Sequence, residues 1–490
     1  MGKSLNMDTL AAFLDCKQNT AHLFKGLYIE TSPLFNQVNQ HPVVYLDFVN
    51  LDSSNLTGLQ RSFRGRVLNL IGSLFSPEEL DYNLKDYISA PSNYSPYILS
   101  SLLEAVSEKY QKQPYLIVDE YDKIIMDTLN YRDGDEIKKF IVNALESVLK
   151  GRTHFKKAIL TGVTRTTKES LFSAMNNLRV YDVLKPSVYD ADFSLTESEL
   201  LELVPETEIT GVREWYNNMR AGNELLYNIY SVMNYLSNPE HGLMGYWSMT
   251  GGGNLLSSLL TDSRIDILEK MLNDEQYRHS TRLDYQLNME HIKDVSLCDD
   301  ASFYTLSVQA GYMSFEADDD AFKVFIPNRE ARRVWARLLL DAQYKGADNG
   351  LAGIFAGIAD VDSFSRQLTE FTSMVLSYND FKARAEWVYH VLFFGLVYSL
   401  GYECKSNIEA GLGRFDIMIK SRRFCAVIEF KVSDSGTDAA LNKSADEALV
   451  QIDAKEYWHG LKDSPAPLYK IGIACHGKKC MAKTILHSQK

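Results

Sequence analysis

Gly413-Arg414-Phe415-Asp416-Ile417-Met418-Ile419-Lys420 runs through the polar triplet Ser421-Arg422-Arg423 into Phe424-Cys425-Ala426-Val427-Ile428-Glu429-Phe430-Lys431-Val432. Two β-rich runs flanking a short polar turn read as a hairpin. Side chains alternate faces along a strand, so Glu429 and Lys431 share one face. With Ser421 and Arg422 at the tip, Asp416 pairs opposite Val427, on that same face and diagonal to Glu429. Diagonal neighbours lie roughly 7–8 Å apart, within reach of two carboxylates sharing one ion. A Mg²⁺ ion takes oxygen ligands at about 2.0–2.1 Å and keeps several waters, and a nearby Lys can orient or activate one of them. Such a group is machinery for metal-assisted hydrolysis of a phosphodiester. A bare D…E-x-K is also common on surface hairpins whose charges are simply solvated, so the surroundings of the hairpin carry weight.

Asp416, Glu429 and Lys431 in this arrangement resemble the D…(D/E)-x-K core of the PD-(D/E)xK nuclease superfamily, with Phe415 where the name has Pro. The resemblance implies roles on either side. Glu386, in Ala385-Glu386-Trp387-Val388-Tyr389-His390 on a helix expected over about 377–400, resembles the superfamily's helical Glu, which helps hold the metal. His390 reads as a helix-face residue packed near the site rather than a ligand. Gln451 and Lys455 are four apart and share a helix face, with Tyr457 close by. This Q-x-x-x-K-x-Y is similar to the superfamily's following helix, whose polar residues face the site. The implied catalytic set is Asp416, Glu429, Lys431, Glu386 and Gln451, with Mg²⁺ on Asp416 and Glu429.

At the other end, Gln113-Pro114-Tyr115-Leu116-Ile117-Val118-Asp119-Glu120 is an apolar run closed by two acids and resembles a Walker B strand. In that reading Asp119 holds Mg²⁺ and Glu120 polarises the attacking water. Gly2-Lys3-Ser4 match the last three residues of the phosphate-binding loop G-x-x-x-x-G-K-[ST], where Lys3 would reach the β/γ-phosphates and Ser4 the Mg²⁺. A third strand ends at Thr161, placed as a polar sensor of the γ-phosphate. Arg165 after it is either a phosphate contact or a solvated turn residue.

With these pieces in order, most of the chain resembles the bacterial AAA-ATPase-like family, whose members join an N-terminal ATPase-like domain to a C-terminal PD-(D/E)xK domain. Further matching pieces are Leu23-Phe24-Lys25-Gly26-Leu27, Pro42-Val43-Val44-Tyr45-Leu46-Asp47-Phe48, Leu160-Thr161-Gly162-Val163, Trp215-Tyr216-Asn217 and Ile326-Pro327-Asn328. The family's W-Y-N-G-Y is Trp215-Tyr216-Asn217-Asn218-Met219 here. A P-loop cradles phosphate with a row of backbone N–H groups ahead of a helix. As written, the sequence has Lys3 and Ser4 without the first half of that loop. The expectation is a truncation within the P-loop, with weak or absent ATP/Mg²⁺ binding and an open sheet edge where the first strand would lie.

The fold expected is α/β: a P-loop NTPase-like parallel sheet lacking its first strand, a helical middle region, and a C-terminal restriction-endonuclease-like domain. Three short apolar β-rich runs, at 42–48, 115–119 and 158–162, alternate with helical patterns at 54–74, 98–111 and 135–150, which argues a parallel sheet covered on both faces. The divisions are 1–190, 191–345 and 346–490. With 490 residues, 45% hydrophobic and 23% charged, the composition is that of a soluble globular protein of two or three domains. Six scattered cysteines do not form a disulfide framework and suit a reducing compartment. Neither a membrane span nor a signal peptide is visible, so the expected location is cytoplasmic. The net charge of −13 argues against a surface that coats nucleic acid throughout. The balance is uneven: residues 401–490 carry 14 Lys/Arg against 11 Asp/Glu, and the remainder 37 against 53. The expected function is an ATPase-like protein with a nuclease domain acting on nucleic acid, DNA in the first place. The alternative is a non-catalytic nucleic-acid- or protein-binding remnant. Oligomerisation stays open.

Overall fold

The computed structural model describes residues 2–129, 131–150, 154–164, 178–247, 254–288, 291–318, 321–343, 361–375, 389, 393, 397, 403–406, 409–410, 413–414, 416–420, 424–461 and 466–487. The chain forms two compact units. One comprises Met1–Thr210, Asn217–Leu236 and Thr281–Gly311; the other comprises Gly211–Tyr216, Ser237–Ser280 and Tyr312–Lys490. The middle of the sequence therefore contributes to both.

In the first unit, strands β1 (Val43–Asp47), β2 (Tyr115–Asp119) and β3 (Lys157–Leu160) form a parallel sheet in that order. Its register sets Asp47 beside Asp119 and Val118 beside Leu160. All three strands thus end at one edge, and the acids stand at the carboxyl ends, where open α/β sheets place their ligands. Helix α1 (Lys3–Leu14) lays Met7, Leu10, Ala11 and Leu14 on one face, against Val43, Tyr45, Ile117 and Ile159. The other face, Val44, Leu46, Leu116 and Val118, is buried as well. A sheet dry on both faces explains why its strands read as continuous apolar runs.

Helices α2 (Leu56–Leu74), α3 (Ile98–Tyr110) and α4 (Gly134–Leu149) follow the expected patterns to within two residues. The Asn55 side chain caps α2 by accepting the Gly58 N–H at 2.9 Å. Leu59, Phe63, Val67, Ile71 and Leu74 form its buried stripe, and the Phe63 ring meets Phe140 of α4 edge-on at 5.2 Å. Helix α5 (Glu197–Leu203) opens on a capping box formed by Thr196 and Glu199. Strands β1 and β3 are the outer strands among the described residues, and none of the residues of β3 is fully buried.

In the second unit, β4 (Ser314–Asp318) and β5 (Ala321–Phe325) form a hairpin, and helix α6 (Arg329–Gln343) follows it. Trp335 of α6 is fully buried and donates its ring N–H to the Tyr312 carbonyl at 2.9 Å. Helical patterning in this part of the sequence gave no sign of the hairpin, whose strands are five residues each.

The C-terminal sheet has five strands in the order β10 (Lys479–Leu486), β9 (Leu468–His476), β8 (Cys425–Val432), β7 (Ile417–Lys420), β6 (Glu403–Ser406). Only β8 and β9 are parallel, and α8 (Asp438–Ala454) makes the crossover between them. Gly472 of β9 lies directly under α8: a side chain there would strike the Ala445 carbonyl. The sequence analysis did not recognise β10, whose ladder runs from Tyr469↔Leu486 to His476↔Lys479. The outer edge of β10 is covered by helix α7 (Val361–Val375). Ser365 Oγ accepts the Ala482 N–H at 2.9 Å and donates to its carbonyl at 3.0 Å. Thr369 Oγ1 does the same for Cys480, at 3.2 and 2.6 Å, and Thr372 Oγ1 donates to the Lys478 carbonyl at 2.7 Å. A row of helix hydroxyls thus satisfies the edge groups that a further strand would otherwise take.

One detail of the expected hairpin differs. Pairing runs Ile417↔Ile428 through Lys420↔Cys425. Extended by one residue, this sets Asp416 level with Glu429 rather than opposite Val427. The shift is two residues, so the face is preserved while the diagonal neighbour becomes a direct one. Helix α8 stops at Ala454 because Glu456 turns into the left-handed region (φ 51°) and Tyr457–Leu461 form a short 3-10 turn.

Candidate functional site

The C-terminal site is built on β7, β8 and α8. Burial forces one face of β8, Val427 among it, into the core, and Glu429 is carried down with the strand to 3% exposure. Asp416 enters from the start of β7, and its Oδ2 accepts the Phe430 N–H at 2.7 Å, which fixes the carboxylate. Lys431 Nζ donates to Glu429 Oε1 at 3.3 Å. Gln451 Nε2, from the last turn of α8, donates to the same Oε1, and it also lies 3.3 Å from the Tyr457 hydroxyl. The helix break at Glu456 brings Tyr457 back under Gln451, where it is 2% exposed. Lys455 caps the end of α8 and is solvent-exposed, so of the expected helix pair only Gln451 reaches the site.

Two donors therefore share one oxygen of Glu429. Its other oxygen, Oε2, is buried and has no hydrogen-bond partner. A buried, unpaired carboxylate oxygen carries a desolvation cost on the order of 1–3 kcal/mol or more unless something positive meets it. Burial, with Asp416 alongside, pushes the Glu429 carboxyl up from 4.5 to about 7, and Lys431 opposes this. Burial also raises Asp416, against the Phe430 N–H and Lys431, which favour its ionised form. Two carboxylates crowded together with one oxygen unmatched are the donor set a divalent cation completes. Among the described residues no group of three or more His, Cys, Asp or Glu side chains is assembled for a metal. The third expected carboxylate, Glu386, and its neighbour His390 lie outside the described residues. Tyr389, Phe393 and Val397 of the same stretch are buried; Phe393 stacks on Phe430 at 4.9 Å, and the Tyr389 hydroxyl donates to the Gly477 carbonyl.

The N-terminal group stands at the carboxyl ends of β1, β2 and β3. Asp119 is buried, and it accepts from Thr161 Oγ1 and from the Glu120 N–H at 3.1 Å, with the Tyr45 hydroxyl at 3.5 Å. Glu120 sits in the left-handed region (φ 53°), a conformation that turns the chain sharply off the strand end. Burial raises its carboxyl, and the nearest opposing influence is Lys3. Lys3 and Ser4 are the first residues of α1, behind Gly2 (φ 62°), with Lys3 half-buried and Ser4 exposed. The structure thus brings Asp119 and Thr161 into contact and sets Lys3 within electrostatic reach of Glu120. Arg165 lies outside the described residues.

Reading the sequence stopped at Asp119-Glu120 and missed Asp122. This carboxylate is fully buried and accepts from the Val163 N–H at 3.1 Å, the Thr164 N–H at 2.6 Å and the Thr164 hydroxyl at 2.7 Å. It clamps the turn after β3, and Gly162 is what lets that turn come so close: a side chain there would meet Asp122 Oδ1 and the Tyr121 ring. The signal was a third acid in Asp119-Glu120-Tyr121-Asp122, but nothing local told a clamp from a solvated charge.

Comparison with known proteins separates the two ends in the same way. Residues 1–172 match the family model described as a predicted AAA-ATPase, and residues 384–485 match that of the PD-(D/E)XK nuclease superfamily. A curated protein from Azotobacter chroococcum mcd 1, described as an uncharacterized protein in the vnfD 5' region, is 24% identical over 497 residues, covering 96% of this chain and 87% of its own length. No solved structure matches. The chain therefore joins an AAA-ATPase-like α/β segment to a PD-(D/E)XK nuclease-superfamily segment, in the order expected from the sequence.

Proposed function

We propose that the C-terminal domain hydrolyses phosphodiester bonds of nucleic acid, DNA in the first place, with a divalent cation, Mg²⁺, held by Asp416 and Glu429. The observation that carries this is Glu429: buried, proton-affine, with Oε2 unmatched and Oε1 fixed by Lys431 and Gln451. A divalent cation, when bound, supplies Lewis-acid polarisation of the phosphoryl oxygen and an acidified water. The rest falls to the chain's own side chains. Asp416 and Glu429 present their carboxylates side by side. Gln451, backed by Tyr457, keeps Glu429 from rotating. Lys431, at the rim of the buried face, is placed to orient a water and to offset charge building on the phosphoryl group. In the same reading the N-terminal segment is the ATPase-like partner, with Gly2, Lys3, Ser4, Asp119, Glu120 and Thr161 as the nucleotide-facing set. The domain pairing supports a nuclease regulated by nucleotide. Among the described residues no helix is long and apolar enough to cross a membrane.

The test is cleavage of a panel of linear, circular and single-stranded DNA and of RNA with Mg²⁺ or Mn²⁺. Asp416→Ala and Lys431→Ala should abolish cleavage while circular dichroism stays unchanged. Equal degradation by wild type and both variants would assign the activity to a contaminant. Absence of Mg²⁺ and Mn²⁺ binding by titration would favour a non-catalytic binding role. Titrating the 490-residue chain with a fluorescent ATP analogue asks separately whether the N-terminal set suffices to hold nucleotide.

A further inference from the structure

One position beyond Ala474, the strand partner of Lys431, Cys475 of β9 and Cys480 of β10 face each other across the antiparallel ladder. Their backbone groups point away from one another. The Cys475 carbonyl accepts the Ser433 N–H at 2.9 Å, and the Cys480 N–H and carbonyl both bond Thr369 Oγ1. This makes them a non-hydrogen-bonded pair, in which facing Cα atoms approach to about 4.5 Å. Disulfide-linked residues have Cα atoms roughly 4.4–6.8 Å apart, so these two need little backbone movement to be bridged. The Cys480 side chain is close enough to Cys475 to raise its thiol, after burial, which is the larger cause. Both residues are almost wholly buried, at 1% and 3% exposure, two residues from the turn at Gly477 and Lys478.

We propose that Cys475 and Cys480 are a dithiol that hydrogen peroxide oxidises to a reversible cross-strand disulfide. One sulfur attacks the peroxide oxygen and becomes a sulfenic acid, releasing the first water. The other sulfur displaces the sulfenic hydroxyl, which leaves with the remaining thiol proton as a second water. Two thiols and one peroxide give one disulfide and two waters, the electron pair ending on the peroxide oxygens. A small thiol in excess reverses the step through a mixed disulfide. Because the two residues face each other across the ladder, a sulfenic acid on one has the other thiol as its immediate neighbour and is captured before it is oxidised further. Burial excludes bulky reagents but admits a molecule little larger than water. Burial together with Cys480 also holds the Cys475 thiol well above its ordinary range, so the reaction calls for sustained rather than brief exposure.

The experiment uses the full chain, folded, held in hydrogen peroxide, quenched, then denatured in iodoacetamide and mapped by mass spectrometry. The expected product is a Cys475–Cys480 link in most molecules, with Cys16, Cys298, Cys404 and Cys425 alkylated, and full recovery of both thiols by dithiothreitol. Cys475→Ala and Cys480→Ala should instead accumulate a sulfenic acid on the remaining residue, trapped by dimedone. Alkylation of both cysteines after treatment, links to other cysteines, or separate sulfinic acids at the two positions would each overturn the proposal. The wild-type map stands even if a variant does not fold.

Discussion

Two groups of buried acids stand on the two main sheets of this molecule, and they are treated in opposite ways. At the N-terminal sheet every acid with a structural task is answered: Asp119 by Thr161 and the Glu120 N–H, Asp122 by three donors from one turn. At the C-terminal sheet two donors crowd one oxygen of Glu429 and leave the other bare, with Asp416 adding like charge. The first arrangement holds chain segments in place. The second stores a mismatch that the fold alone does not relieve. Buried acids are therefore informative less by their presence than by what their oxygens lack.

The largest effect should come from Asp416→Asn. Removing its charge should cost about 10²–10⁴-fold in DNA cleavage, a loss of the size associated with a positioned catalytic group, read in single-turnover assays. A variant that cuts like wild type would erase the contrast. Next, Asp122→Ala should lower stability by about 2–4 kcal/mol, since three buried donors lose their acceptor at once. Urea denaturation measures it, and a change under 0.5 kcal/mol would mean that the clamp is dispensable.

Glu429→Gln should do the reverse at neutral pH. The Glu429 carboxyl is raised from 4.5 to about 7, so between those values the folded chain keeps a proton the unfolded chain has released. Metal-free stability then falls as pH rises through that window. Glu429→Gln should lose that part of the decline and exceed wild type by about 1–2 kcal/mol at pH 8, while no longer taking up Mg²⁺ in calorimetry. A variant with the wild-type pH profile would contradict the mismatch. The smallest effect separates neighbours on α8. Gln451→Ala should slow cleavage, whereas Lys455→Ala, exposed at the helix end, should change stability by no more than about 0.5 kcal/mol and leave cleavage as it was.

Much of this was legible from residue order. The parallel strands announced themselves as apolar runs because both faces of that sheet are dry. Asp416, Glu429 and Lys431 share a face because strand periodicity is two, a rule that survives a two-residue error in the turn. That error arose because a polar turn of several residues does not state its own length. Strand β10 escaped because Lys479-Cys480-Met481-Ala482-Lys483 alternates only weakly. Its partner on one side is a row of hydroxyls rather than another strand. Asp122 escaped because its partners, Val163 and Thr164, are some forty residues away, and only folding shows that the three meet.

Order of synthesis gives the hydroxyl row of α7 one more consequence. Ser365, Thr369 and Thr372 leave the ribosome about a hundred residues ahead of the strand whose edge they cover. When β10 emerges, last of its sheet, the partner for its outer side is already made and is helical. A helix answers those N–H and C=O groups without offering a fresh row of its own, so the pairing terminates there. Nascent chains crowded on one messenger RNA then meet the β10 edge closed off before it could recruit a neighbour's strand.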